Sequence, residues 1–284
     1  MPRFALVSDF RSADHDDDLA PLLDALGSEA ELALWDDPEV EWSAYDLAVI
    51  RSTWNYVERP DEFLGWAAET QAKTRLVNPL DVIRWNIDKH YLADLHRSGL
   101  AVVPTVFVEP GAGEYLLPAG RDLVVKPAIS AGARDTARYG HDEAQAAADH
   151  VERLISAGRP ALIQPYLERV DQRGETAVAY LGGKFSHALR KGALLNGTAE
   201  MVEGLFAREE IAATEITEPE RELADATMDV LQQRFGPLLY ARIDLLPHDD
   251  GRPVLLEVEL IEPSLFHSVA PNSAEAFADA IRAL

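Results

Sequence analysis

Short apolar runs alternate with stretches of helical spacing through the first part of the chain. Phe4-Ala5-Leu6-Val7, bounded by Ser8-Asp9, reads as a buried strand. Asp17 to Leu26 has helical spacing and ends at Gly27, a C-cap signal. Strands follow at Glu31 to Trp35 and Asp46 to Ile50, the second running into the polar and aromatic segment Arg51-Ser52-Thr53-Trp54-Asn55-Tyr56. Pro60 to Ala68 is a helix with proline near its start, where a missing N–H is tolerated. Arg75-Leu76-Val77 is a further strand, closed by Asn78-Pro79. Strands alternating with helices imply a parallel sheet, so the first domain, residues 1–86, is expected to be a small α/β unit.

Beyond it the pattern changes. Asp88 to Ser98 reads as a helix capped by Gly99, and Val102 to Val108 and Asp122 to Lys126 read as strands. Ala128 to Tyr139 has no periodicity and carries small and charged residues, which predicts a mobile loop. Asp142 to Ser156 is an alanine-rich helix, and Ala161 to Gln164 a strand ended by Pro165. Strand-like runs then dominate: Thr176 to Leu181, Lys184 to Arg190, Leu238 to Leu245 and Val254 to Leu260, with one long helix over Glu218 to Arg234 between them. The predicted class is α/β, becoming α+β in the C-terminal part.

Composition narrows the partners. The chain has 284 residues, enough to bury a sizeable core. Its net charge is −23, from 26 basic and 49 acidic residues, which argues against a nucleic-acid partner, because phosphate backbones require basic patches. An anionic small molecule is still allowed, since it needs only a local concentration of Lys, Arg and divalent metal. No stretch approaches the roughly 20 apolar residues of a membrane span. The N-terminus meets Asp9 before a signal-like run develops, so a cytoplasmic location with no membrane partner is expected. With no cysteine, disulfides, thiolate metal sites and a cysteine nucleophile are excluded. The histidines show no HExxH spacing, and there is no GxSxG.

The most informative segment is a pair of apolar-alternating runs, Leu239 to Leu246 and Val254 to Leu260, flanking Pro247-His248-Asp249-Asp250-Gly251-Arg252-Pro253. Asp-Gly is the favoured two-residue hairpin turn. A turn centred on Asp250-Gly251 sets Asp244 opposite Glu257 and Arg242 opposite Glu259. Residues two apart share a strand face, and opposed residues share it too. One face then presents three carboxylates and a guanidinium, while Ile243, Leu245, Val258 and Leu260 face the core. So many carboxylates repel unless compensated. A hard divalent cation with oxygen ligands such as Mg²⁺ supplies that compensation and completes its shell with phosphates and water.

Three weaker features accompany the hairpin. Lys126 ends the strand Leu123-Val124-Val125-Lys126-Pro127 beside a small-residue loop containing Ser130-Ala131-Gly132, a placement that suits phosphates. It is not a Walker A motif, because the lysine comes first and glycines are sparse. The strand stopping at Gln164-Pro165-Tyr166-Leu167 leaves backbone groups able to read an adenine edge, with Asp171 and Glu175 nearby for ribose. Arg51, after a predicted parallel strand, sits where α/β sheets bind ligands and could hold a carboxylate bidentately, with Ser52 and Trp54 beside it. The alternatives are a strand-end lysine that protrudes into solvent for Lys126, an ordinary interdomain linker for the Gln164 segment, and a capped helix start with a packed tryptophan for the Arg51 segment.

Taken in order, Asn78-Pro79, Asp88-Lys89, Val103-Pro104-Thr105, Val125-Lys126-Pro127, Gln164-Pro165-Tyr166-Leu167, Arg242-Ile243-Asp244 and Glu257-Val258-Glu259 resemble the ATP-grasp superfamily. Arg51-Ser52-Thr53-Trp54, Lys126-Pro127-Ala128 with Ser130-Ala131-Gly132, Phe185-Ser186-His187 and Glu262-Pro263-Ser264-Leu265-Phe266 look most like its glutathione-synthetase-like branch, which includes the O-ureidoserine cyclo-ligase. The resemblance implies an ATP-grasp fold over residues 87–165 and 166–284, following the small first domain. It implies an Mg-dependent ligase that activates a substrate carboxyl or carbonyl group as an acyl phosphate for attack by an amine or other nucleophile, with cyclisation as one form. A phosphotransferase and a non-catalytic Mg-ATP sensor are the competing readings. The implied roles place Lys89, Lys126, Ser130 and Lys191 at ATP phosphates. Gln164, Tyr166 and Leu167 form the adenine hinge, and Asp171 or Glu175 holds the ribose. Asp244, Glu257 and Glu259 hold two Mg²⁺ ions, with Mn²⁺ as a substitute. Arg242 and Arg190 serve the reacting groups, and Arg51, Ser52 and Trp54 a small amino-acid-like or carboxylate substrate. Homodimer formation stays open. The chain departs from the superfamily in having Glu259 where the usual final ligand is Asn, and in a loop poorer in glycine.

Overall fold

The computed structural model describes residues 2–193, 195 and 210–284. The first alternating segment supplies strands β1 (Phe4–Ser8), β2 (Ala30–Leu34), β3 (Leu47–Ser52) and β4 (Arg75–Val77) and helices α1 (Leu19–Leu26), α2 (Pro60–Gln71) and α3 (Leu80–Asn86). The strands form a parallel sheet ordered β2-β1-β3-β4. Both faces of β1 and β3 are buried, which explains their continuous apolar runs. One face packs on α2 and on an aromatic cluster in which Phe63 and Trp66 stack at 5.2 Å. The helix α3 is absent from the periodicity reading, which closed the segment at Asn78-Pro79; proline caps it and four of its seven residues are buried.

The next segment contains α4 (Tyr91–Arg97), β5 (Val106–Val108), β6 (Leu123–Pro127), β7 (Ala137–Tyr139), α5 (Ala144–Ser156) and β8 (Ala161–Pro165). Its sheet is antiparallel, ordered β5-β8-β6-β7. Period-two alternation in β6 sends Leu123 and Val125 onto α5 and leaves Val124 and Lys126 on the opposite face. Two expectations fail here. The stretch Val102 to Val108 is strand only from Val106, with Val102 bridging Leu255 instead. The stretch Ala128 to Tyr139 is not all loop, because Ala137–Tyr139 pairs with Leu123–Val125.

The third sheet is ordered β11-β10-β9-β12-β13. It consists of β9 (Glu175–Leu181), β10 (Lys184–Lys191), β11 (Ile211–Ala213), β12 (Tyr240–Pro247) and β13 (Pro253–Glu259), with the short helix α6 (Val170–Arg173) before it and α7 (Glu218–Phe235) within it. One face, carrying Val178, Ile243, Leu245, Leu255 and Val258, packs on α4 and α7 in the largest apolar cluster. The other face is open along its centre. Thr217 and Glu220 form a capping box that starts α7. Finally α8 (Ser273–Arg282) packs between this sheet, at Leu181 and Tyr240, and the first. Its Phe277 and Ile281 pack with Leu22 and Leu26 of α1 beneath the first sheet.

Candidate active site

A cleft of about 430 Å³ opens where the three sheets meet, with the acidic hairpin face as its floor. The register predicted for the carboxylates is observed: Asp244 opposes Glu257 and Arg242 opposes Glu259. The turn is different. His248 pairs with Arg252 around a three-residue loop, with Gly251 at φ 89° donating to the His248 carbonyl at 2.8 Å. A three-residue loop ending in a left-handed glycine is the next commonest hairpin solution. It shifts the pairing by one, so that Leu245 meets Leu255, and a β-bulge between Asp244 and Leu245 restores the register. The bulge lets Leu256 and Glu257, adjacent in sequence, both line the cleft.

The floor acids are not grouped as a ready-made cage. Among the described residues, no three His, Asp or Glu side chains converge as a metal-holding group. Each acid instead faces a cation. Arg242 Nε donates to Asp244 Oδ1 at 2.9 Å, and its guanidinium also contacts Glu259. Lys191 Nζ lies 3.3 Å from Asp244 and 2.5 Å from Glu175. Lys89 Nζ lies 2.9 Å from Glu257, and Lys126 Nζ 4.0 Å from its other oxygen. Burial pushes Asp244 up, but Arg242 and Lys191 outweigh it and hold the carboxyl well below its ordinary range. Burial raises Glu259 to about 7, and Asp244 and Glu257 outweigh part of the relief from Arg242. The donor set fits a divalent cation in chemical type, since Asp244, Glu257 and Glu259 offer hard oxygens only.

The remaining walls follow from strand alternation. Lys126, expected to protrude, is buried at 7% exposure on the cleft side of β6. Burial and the neighbouring Lys89 lower its pKa. Lys89 also donates to the Ser130 carbonyl at 2.9 Å, which ties the loop after β6 to the site. Gln164, Tyr166 and Leu167 line one end with Val103, Leu246 and Leu256, an apolar slot with a backbone edge. Glu175 lines the cleft, whereas Asp171 does not; Asp171 accepts from Tyr166 and lies 3.5 Å from Arg138.

Besides Asp171, three expected site residues lie elsewhere. Arg190 projects from the opposite face of β10, donating to Thr176 at 2.5 Å and facing Glu220 of α7. Its place next to Lys191 makes this unavoidable, because neighbours along a strand point to opposite faces. Arg51 is 1% exposed and donates to the Pro263 carbonyl at 2.6 Å, between the rings of Tyr240 and Phe277. Ser52 is also buried, at 2.8 Å from the Ser8 hydroxyl. Both belong to the scaffold under the site. Trp54 does line the cleft, its indole donating to the Glu262 carbonyl at 3.2 Å.

The reading from residues missed the far wall. His15, Asp17, Tyr56, Glu262, Ser264 and Phe266 line it. Among the described residues no Lys or Arg pairs with Glu262, which is held near Tyr56; burial raises it to about 8, and Glu259 adds to the effect. Glu262-Pro263-Ser264-Leu265-Phe266 carries a family resemblance, but nothing in its spacing tells which side chains turn inward.

Comparison with known proteins bears on this geometry. Residues 4–78 match the family described as D-cycloserine synthetase DcsG, N-terminal domain. The ATP-grasp ligase PsnB, in a complex with a phosphomimetic minimal precursor, Mg and ADP, shares the fold: TM-score 0.62 at 22% identity, over 100% of this chain and 98% of that one. The cycloserine biosynthesis protein DcsG of Streptomyces lavendulae is 39% identical over 297 residues, 99% of this chain and 98% of that protein. The chain belongs to the DcsG family. Neither the phosphotransferase nor the sensor reading has support among these relatives. The crystal structure of D-cycloserine synthetase DcsG matches with a TM-score of 0.88 at 37% identity over 98% of both chains. No helix among the described residues is long and apolar enough to cross a membrane.

Proposed function

We propose that this member of the DcsG family is a cyclo-ligase that activates the carboxyl group of an amino-acid-like substrate with ATP and closes a ring through a C–N bond. The observation that carries the reading is the full-length likeness to DcsG together with an intact cleft floor of Arg242, Asp244, Glu257 and Glu259. The slot formed by Gln164, Tyr166, Leu167 and Leu256 suits adenine, and Glu175 suits a ribose hydroxyl. Asp244, Glu257 and Glu259 would hold two Mg²⁺ ions, or Mn²⁺ in their place. The ions supply charge neutralisation at the transferring phosphoryl group.

The protein's own groups do the rest. Lys89, Lys126 and Lys191 exchange their carboxylate partners for phosphate oxygens when nucleotide enters. A substrate carboxylate oxygen bonds to the γ-phosphorus, ADP leaves, and an acyl phosphate results. The substrate's own nitrogen then bonds to the acyl carbon, inorganic phosphate leaves and the nitrogen gives up its proton. Arg242 sits where negative charge builds on the acyl phosphate and the tetrahedral intermediate. The loop that carries Ser130 covers the site and excludes water. The test supplies O-ureidoserine with Mg-ATP and follows ADP release together with product mass. A cyclic product with ADP supports the reading; a stable phosphorylated product, or ADP without ring closure, sinks it.

A further inference from the structure

Asp18 immediately precedes α1, the position from which an aspartate ordinarily caps its own helix. Its side chain makes no such bond. It is 2% exposed and instead accepts three successive amides from the opposite end of the sequence: Leu265 at 2.5 Å, Phe266 at 2.9 Å and His267 at 2.6 Å. The carbonyls of the same irregular segment are held as closely. Trp54 donates to Glu262, Arg51 to Pro263 at 2.6 Å, Arg242 to Ser264 at 3.0 Å, and His187 Nε2 lies 2.7 Å from the Leu265 oxygen. A segment without helix or strand pairing would otherwise leave these groups unpaired in a buried setting.

The convergence has one local effect on the cleft. Phe266 is held at φ 54°, a left-handed conformation unusual for a bulky residue. That turn sends its ring into the cleft, with the Arg242 guanidinium carbon 5.8 Å from the ring centre. We propose that Asp18 is a positioning residue for the ligase reaction: by gathering the three amides it fixes Phe266 and the Ser264 carbonyl against Arg242, and so sets the fit of the non-nucleotide substrate. The adenine slot, formed by Gln164, Tyr166 and Leu167 with Leu246 and Leu256 near the hairpin loop, shares none of these bonds. Asp18 therefore governs the acyl-accepting end of the cleft and leaves the nucleotide end alone.

The inference rests on the ligase reading, and the two fail differently. Wild-type turnover of O-ureidoserine tests the reading; the split between the two KM values in variants tests Asp18. In Asp18→Asn the KM for O-ureidoserine should rise at least about tenfold while that for ATP stays within about twofold. Hydrogen exchange of the peptide spanning residues 262–270 should accelerate in the same variant, a readout independent of activity. Phe266→Gly, which accepts the left-handed backbone and removes the ring, should give the same KM split if Asp18→Asn folds poorly. Equal changes in both KM values, or an unchanged O-ureidoserine KM in a variant whose 262–270 amides have lost protection, would overturn the assignment. So would a loss of kcat that merely tracks the loss of folded protein.

Discussion

Glu257 is the counter-charge for two lysines at once, and this changes what its removal should do. Seen only as one of three aligned carboxylates, it is a source of repulsion, and Glu257→Gln should relieve strain. In the folded chain it stands 2.9 Å from Lys89 and within 4.0 Å of Lys126, both buried. Glu257→Gln should therefore lower stability by about 1–3 kcal/mol, read as a fall in Tm. It should also cut ATP-dependent turnover at least about 100-fold, in a steady-state assay. A variant more stable than wild type would show that repulsion dominates after all. Arg190 gives the opposite expectation. With its guanidinium on Thr176 and Glu220, Arg190→Ala should leave both KM values and kcat within about twofold and cost no more than about 1 kcal/mol in a denaturation curve. The chemical type of these residues was legible in the sequence, as was the alignment of the acids. The pairings were not, because Lys89 and Glu257 lie far apart in sequence and only the tertiary fold joins them.

At the scale of elements, the hairpin shows how a correct register came from an incorrect turn. Asp-Gly does serve a two-residue turn, but a left-handed glycine equally closes a three-residue loop, and Pro247 and Pro253 stand opposite each other at its base. The extra loop residue and the bulge at Leu256 cancel beyond Asp244, so the acids meet as the alternation requires. Only Leu256 betrays the difference, since strict alternation sends it away from Glu257's face and the bulge brings it in. Leu256→Ala should remove about 1–2 kcal/mol of apolar contact from the adenine slot. Calorimetry should show ATP affinity roughly tenfold weaker, with little change in Tm. An unchanged affinity would place the base elsewhere. Helices α3 and α8 escaped the reading for a different reason: one is a seven-residue element behind a proline, and the other follows a long irregular stretch.

For the whole molecule, acid tolerance should depend on a histidine far from the chemistry. His150 of α5 is buried beside the Tyr139 hydroxyl at 2.9 Å. Burial first, and Arg153 second, lower its pKa from 6.5 to about 4. The folded chain thus keeps it neutral where the unfolded chain would protonate it. Its contribution to stability is complete above about pH 6.5 and shrinks as pH falls towards about 4. Urea midpoints at about pH 7 and about pH 5 should differ less in His150→Gln than in the wild type. Identical pH slopes would remove His150 from the account.

The return of α8 to the first sheet also has a consequence for how the polypeptide comes off the ribosome. The residues of β1 to β4 are synthesised first, and domains tend to fold in that order. Yet the apolar floor under this sheet is shared by Phe277 and Ile281, and its rim is locked where Asp18 grips residues 265–267. Those groups are translated only after both other sheets. The nascent first layer must therefore wait, partly uncovered, through most of translation, and the cleft it helps to build becomes complete only when that late segment closes over it.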